Sequence, residues 1–320
     1  MTRRPRFELA VLLALGASFL LVPQFVESRF WLGFWTNILF FALLGQSWNI
    51  LGGYGGQVSF GHAVFFGTGA YVSAVMQVRF GLDAWTSAAI AIAAGALVGA
   101  FIGALSFRYG LRGSYFALVT LAFAEVFRVL ANAWDFTGAG FGMLIPMKAG
   151  AANLQFAERT SFYYLILLLV ALAYALTWRM ERSRFGAYLV AIRENEDAAQ
   201  ALGINAFRIK LAAIALSGAM AAVAGVFYMQ YYLFVDSHVG YGAAMSVNAL
   251  LAPLIGGAGT VLGPLIGAVA LGTLAEVTSL LLGKEPGVNL LAFGVLLLVI
   301  LRFLPNGLMG LLRGFFRGRS

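Results

Sequence analysis

Residues 84–106 read Ala-Trp-Thr-Ser-Ala-Ala-Ile-Ala-Ile-Ala-Ala-Gly-Ala-Leu-Val-Gly-Ala-Phe-Ile-Gly-Ala-Leu-Ser, without one charged side chain. A helix of about 20 such residues crosses the hydrocarbon core of a bilayer. A strand reading fails, because the run is too long and does not alternate. Similar runs lie near 34–51, 58–78, 114–133, 162–178, 209–230, 243–257, 260–282 and 288–304, and one more covers Phe7 to Val22. A transmembrane β-barrel is excluded on the same ground. The expected fold is an all-α polytopic membrane protein with about ten transmembrane helices.

Composition agrees. Of 320 residues, 61% are hydrophobic and 11% charged, with a mean hydropathy of +0.88. A soluble domain carries about 25% charged residues, so a water-soluble enzyme and an extended nucleic-acid binder are both excluded. The net charge of +8 reflects loop anchors on one membrane face rather than nucleic-acid binding. The absence of Cys rules out disulfides, thiolate metal sites and a Cys nucleophile. The two histidines, His62 and His238, are too few and too far apart to argue for a metal.

Arg3, Arg4 and Arg6 precede the first apolar run. That layout also suits a secretory signal. Gly16-Ala17-Ser18 is only loosely like a cleavage site, and many spans follow, so a retained first span is expected. With the N-terminus inside, 15 of the 21 Lys and Arg fall on the inner side, five on the outer side, and Arg128 within a span. This bias predicts that both termini are cytoplasmic and the span count even. The whole chain, 1–320, reads as one membrane domain. A cytoplasmic segment lies at about 180–208 and an outer loop at about 134–161.

The runs near 58–78 and 243–257 contain Gly and Pro and are expected to be short, broken or re-entrant. Gly95, Gly99 and Gly103 recur every four residues, as close helix packing in lipid requires. Gly52-Gly53-Tyr54-Gly55-Gly56-Gln57-Val58-Ser59-Phe60-Gly61-His62 is echoed by Gly256-Gly257-Ala258-Gly259-Thr260-Val261-Leu262-Gly263-Pro264. Gly-interrupted segments in two halves point to a transport site in repeat-built transporters. An internal repeat and an accidental echo both remain open.

The longest inward polar stretch contains Arg193-Glu194-Asn195-Glu196-Asp197-Ala198-Ala199-Gln200-Ala201-Leu202-Gly203. Asn195 suits an N-cap, with Glu196 and Asp197 in the first turn. Gly203 suits a left-handed position after the helix. A short capped helix on the cytoplasmic face is expected.

Asp197-Ala198-Ala199 followed by Gly203 resembles the coupling loop of bacterial ABC importer permeases, with Asp in place of the usual Glu. Asn49 to Tyr71, Gly113 to Ala122 and Gly256 to Gly267 extend the likeness over nearly the whole chain. Together they resemble the M-type permease subunit of branched-chain amino-acid ABC importers, in a wider family that includes urea and short-amide importers. The resemblance implies a homologous H-type permease partner and two cytoplasmic ABC ATPase subunits that hold ATP and Mg. It also implies a periplasmic substrate-binding protein and a bacterial inner-membrane location. It implies that residues 193–199 and Gly203 couple to the ATPase. The implied substrate is leucine, isoleucine or valine, with urea or a short amide as the alternative. No cofactor is expected in this chain, since Gly283-Lys284 lacks the rest of a P-loop.

Polar groups within the apolar runs are the remaining candidates for a pathway or gate. Glu125 and Arg128 lie three apart on one helix face and can pair. Glu276 has no local partner and must be neutral, paired across helices or exposed to a cavity. Gln57, Ser59, Gly61 and His62 cluster in the first Gly-rich segment, and Asn248 and Gly257 lie at the second. For His62 and Asn248 a packing role and a ligand contact both stay open. Ser59 and His62 lack the spacing of a hydrolase nucleophile elbow, and no enzyme activity is expected. A channel or secondary transporter is the competing class.

Overall fold

The computed structural model describes residues 28–282 without interruption, with residues 16, 18–25 and some positions between 291 and 310. Most of the runs at 7–22 and 288–304, and Gly283-Lys284, lie outside the described residues. The elements are α1 (Arg29–Trp48), α2 (Ala63–Val78), α3 (Ala84–Arg108), α4 (Gly113–Ala133), α5 (Arg159–Glu181), α6 (Arg184–Glu194) and α7 (Glu196–Ala201). They continue with α8 (Ala206–Tyr232), α9 (Ser237–Tyr241), α10 (Ala243–Gly256) and α11 (Gly263–Leu282). A two-residue antiparallel ribbon pairs β1 (Met143–Leu144) with β2 (Phe234–Val235).

Among the described residues, six helices are long and apolar enough to cross a membrane: α1 with the turn that follows it, α3, α4, α5, α8 and α11. α2 and α10 are apolar but shorter, and they are the two segments marked by Gly and Pro. Leu97, Phe101, Leu118, Leu172 and Leu280 are exposed on the outer faces. Apolar surface of this kind belongs in lipid. The chain is an all-α, multi-pass membrane protein.

Lipid is as apolar as leucine, so burial of apolar surface does not drive helices together here; close van der Waals approach does. α8 is the hub, packed against α1, α2 and α3. Along α3, Gly95 and Gly99 lie against Gly218 and Ile214 of α8, and Gly103 faces the Ile214 side chain. A methyl group on Gly99 would sit 2.7 Å from the Ile214 carbonyl oxygen. On the adjoining side, Gly225 of α8 meets the Phe66 backbone of α2. α1 carries the second half of the bundle, touching α5, α10 and α11.

α1 ends in a π-helical turn, Asn49–Tyr54, and the chain then runs without regular structure before α2. Irregular backbone at membrane depth must find other partners. Phe60 N donates to Thr120 Oγ1 of α4 at 3.2 Å, and Ala63 N donates to Ser246 Oγ of α10 at 2.8 Å. The break is thus closed by side chains from both halves of the chain.

The connections gather at two opposite ends. At one, Arg79 Nη2 donates to Asp135 O, Trp85 Nε1 donates to Ala151 O, and the β ribbon ties residues 143–144 to the end of α8. The other holds the α3–α4 turn, α6 and α7.

Candidate functional site

The polar segment folds as two helices rather than one. α6 (Arg184–Glu194), which the sequence did not suggest, is capped by Ser183, whose Oγ accepts from Gly186 N. The chain turns at Asn195, whose Oδ1 accepts from Ala198 N at 2.9 Å and caps α7. Gly203 follows with φ +85°, the left-handed conformation expected of it. α7 is clamped to the bundle by charge. Lys210 Nζ of α8 lies 2.6 Å from Glu196 Oε1, and Arg112 reaches Glu196 Oε2 at 3.2 Å and Asp197 Oδ1 at 3.1 Å. Lys210 also lies over the Phe107 ring. Ala199 is turned inward, packed with Ile192 and Ala206. The outer face of α7 is instead Asp197, Ala198, Gln200, Ala201 and the 84% exposed Leu202.

The two Gly-rich echoes, about 200 residues apart, meet. Asn49 of the π turn accepts from Gly259 N at 2.8 Å through Oδ1 and donates to Thr260 O at 2.9 Å through Nδ2. Gly53 packs on the Gly259 backbone. Arg193, the penultimate residue of α6, reaches into this junction. Its Nη1 donates to Gly53 O at 2.9 Å, its stem lies on Gly56, and its guanidinium abuts Gly259. Gly56 has φ +65°, so a side chain there would be both strained and in the way of Arg193. Gly257 lies in the same junction, its carbonyl accepting from Thr260 Oγ1 at 2.7 Å. Helix α6 therefore bears directly on the broken membrane segments.

Gln57, Ser59 and His62 are buried in the packing around that break. Trp48 Nε1 donates to Ser59 O at 2.8 Å. Ser217 Oγ donates to Ser47 O at 2.6 Å, so at 2.9 Å it accepts from His62 Nε2, which must carry the proton. Gly61 lies against the Thr120 backbone. This cluster joins α1, α4 and α8 and lines neither of the cavities that follow.

Asn248 and Glu276 do line cavities. One, about 270 Å³, lies between α1, α10 and α11 and is bordered by Asn37, Asn248 and Glu276 among apolar residues. The other, about 630 Å³, opens at the end holding Arg29 and Arg159. It shares Phe34, Asn37 and Glu276 with the first. Sequence reasoning missed Asn37, Arg29, Arg159 and Gln230 there. Arg29, Gly33 and Asn37 are spaced by four on α1, a signal that only a known cavity makes meaningful.

Glu125 and Arg128 form the expected pair, with Arg128 Nε 2.9 Å from Glu125 Oε2, on an outer face of α4 away from both cavities. Among the described residues no cluster of three His, Asp or Glu could hold a metal.

No solved structure matches the chain. The high-affinity branched-chain amino acid transport system permease protein LivM of Escherichia coli K12 is 29% identical, over 98% of this chain and 76% of that protein. The LivH permease protein of the same kind of system in Salmonella typhimurium is 28% identical, over 84% of this chain and 91% of its own. The BraD permease protein of Pseudomonas aeruginosa is 26% identical over the same shares. The family described as the permease component of the branched-chain amino acid transport system matches residues 31–301. The chain is a member of this branched-chain amino acid transport permease family.

Proposed function

We propose that this chain is the M-type permease half of an ABC importer for branched-chain amino acids. In this reading it crosses the bacterial inner membrane ten times: six long helices, the short α2 and α10, and the runs at 7–22 and 288–304. Both termini and the α6–α7 segment face the cytoplasm, and the 134–158 loop faces the periplasm. An H-type permease completes the pore, and a periplasmic binding protein delivers the ligand. Two cytoplasmic ATPases bind ATP and Mg, and one of them docks on the outer face of α7, with Leu202 as an apolar anchor.

The observation that carries this reading is Arg193. It fastens the helix that precedes α7 to the junction of the two broken membrane segments. A push on α7 is thereby delivered to the irregular backbone, where a helical bundle is easiest to rearrange. Asn37, Asn248 and Glu276 support a pathway face toward the H-type partner. They are polar, lie in membrane-depth elements and have no partner among the described residues. An unpaired charge in lipid costs about 2.5–3.5 kcal/mol on insertion scales, so protein or water must meet this face.

The test is uptake of labelled leucine and of urea in cells with the gene deleted and restored. Restored leucine uptake is expected; restoration of urea uptake alone would replace the substrate. Arg193→Met should reach normal membrane levels and lose at least about tenfold of coupled uptake, given about 1.5–3 kcal/mol for a charge-assisted hydrogen bond. Single thiols at Asn195 and Gln200 should crosslink to an ATPase subunit.

A further inference from the structure

We propose that the 630 Å³ cavity at the Arg29 end is a receiving site for a zwitterionic α-amino acid with an apolar side chain. This deepens the importer reading and rests on it. The volume falls within the usual range for small-molecule sites, roughly 300–1,000 Å³.

Two features point to a ligand with two opposite charges. First, Arg29 and Arg159 both line this cavity. Arg29 is one turn before Gly33 on α1, and Arg159 Nη1 lies 3.6 Å from where a methyl at Gly33 would stand, an ordinary contact distance that places this guanidinium against the same stretch of α1. Guanidinium forks match carboxylate geometry. Second, Glu276 borders the cavity from α11 and has no ion-pair or hydrogen-bond partner among the described residues. A carboxylate so placed suits an ammonium group.

The apolar part of the ligand also has a place. Phe162 and Tyr231 wall the cavity, and beyond Phe34 and Glu276 the adjoining 270 Å³ space is lined by Ile38, Leu271 and Ala275. The geometry orients the carboxylate toward the arginines, the ammonium toward Glu276, and the aliphatic chain inward. Neutral urea would leave both charges of the site without partners.

The test uses the assembled importer in detergent, with saturation-transfer NMR of leucine, 4-methylpentanoate (no ammonium) and leucinamide (no carboxylate). Wild type should favour leucine over either analogue by at least tenfold. Glu276→Gln should bind leucine at least tenfold more weakly and no better than 4-methylpentanoate, and Glu276→Asp should recover part of the difference. Arg159→Gln should erase the preference over leucinamide, and Arg159→Lys should recover part of it. Size-exclusion profiles of the complexes check assembly. Equal binding of leucine and 4-methylpentanoate to wild type, or unchanged leucine binding in assembled Glu276→Gln and Arg159→Gln, would overturn the site. If those results accompany normal leucine uptake by wild-type cells, the importer reading stands and only the site falls. Uptake of urea without leucine would sink both.

Discussion

Replacing Lys210 with Met asks whether charge holds α7 on the bundle. Lys210 is 2% exposed, and its Nζ is 2.6 Å from Glu196, whose side chain is 11% exposed. Removing one member of a buried pair costs about 3–5 kcal/mol, because the other charge stays buried. Arg112 remains 3.2 Å from Glu196 on a half-exposed side chain, so the lower end applies, about 3 kcal/mol. At about 1.4 kcal/mol per tenfold, α7 should leave its seat on the order of a hundredfold more often. The chain has no Cys, so Ala199→Cys places a single thiol at a position only 3% exposed. Its maleimide labelling rate in membranes reports the opening. Lys210→Met in that background should label on the order of a hundredfold faster. Adding Glu196→Gln should restore much of the protection, since no unpaired carboxylate then remains. Equal rates with and without Lys210→Met would refute the clamp. A double variant as open as the single would refute the electrostatic account of it.

Gly99→Leu should prevent the α3–α8 approach and abolish a monodisperse size-exclusion peak, and Gly99→Ala should cost about 1–3 kcal/mol from overpacking, read as a lowered melting temperature. Asn49→Leu removes both hydrogen bonds between the Gly-rich segments and leaves Gly259 N and Thr260 O unsatisfied, about 1–3 kcal/mol each where buried; a melting temperature equal to wild type would count against that junction. Glu125→Gln and Arg128→Gln should each lower expression, with the double change losing less than the sum of the two; additive losses would mean that each has another partner.

Local signals were readable because their chemistry spans three or four residues. The Asn195 cap, the Gly203 turn and the Glu125–Arg128 pair are of that kind, as is the Gly95–Gly99–Gly103 stripe, although its partner on α8 was not named. α6 was not foreseen, since its mixed polar and apolar residues follow Arg184 without a membrane-length run. Ala199, within the segment that the resemblance ties to the ATPase, is turned inward, because Glu196 on the same face of this short helix reaches Lys210. Of the polar residues set aside as a possible pathway, Asn248 and Glu276 share one cavity, whereas Gln57, Ser59 and His62 build the packing around the π turn. Nothing in residue type separates the two groups.

What the amino-acid sequence determines alone is the helical, membrane-spanning character of the chain. A long uncharged run has few alternatives in lipid, where each backbone N–H and C=O must be satisfied within its own segment. It also marks where helices must break, at the Gly-rich stretches, and on which end the cations collect. Tertiary structure decides which faces point inward. In water an apolar stripe marks the core, but in lipid an outward leucine costs nothing, so the hydrophobic pattern does not distinguish inner from outer faces. The union of Asn49 with Gly259, the reach of Arg193 to Gly53, and the gathering of Arg29, Arg159, Gln230 and Glu276 around one cavity all join residues far apart in the chain. They follow from how closely glycine lets the helices approach, and that becomes visible only when the partner helix is in place.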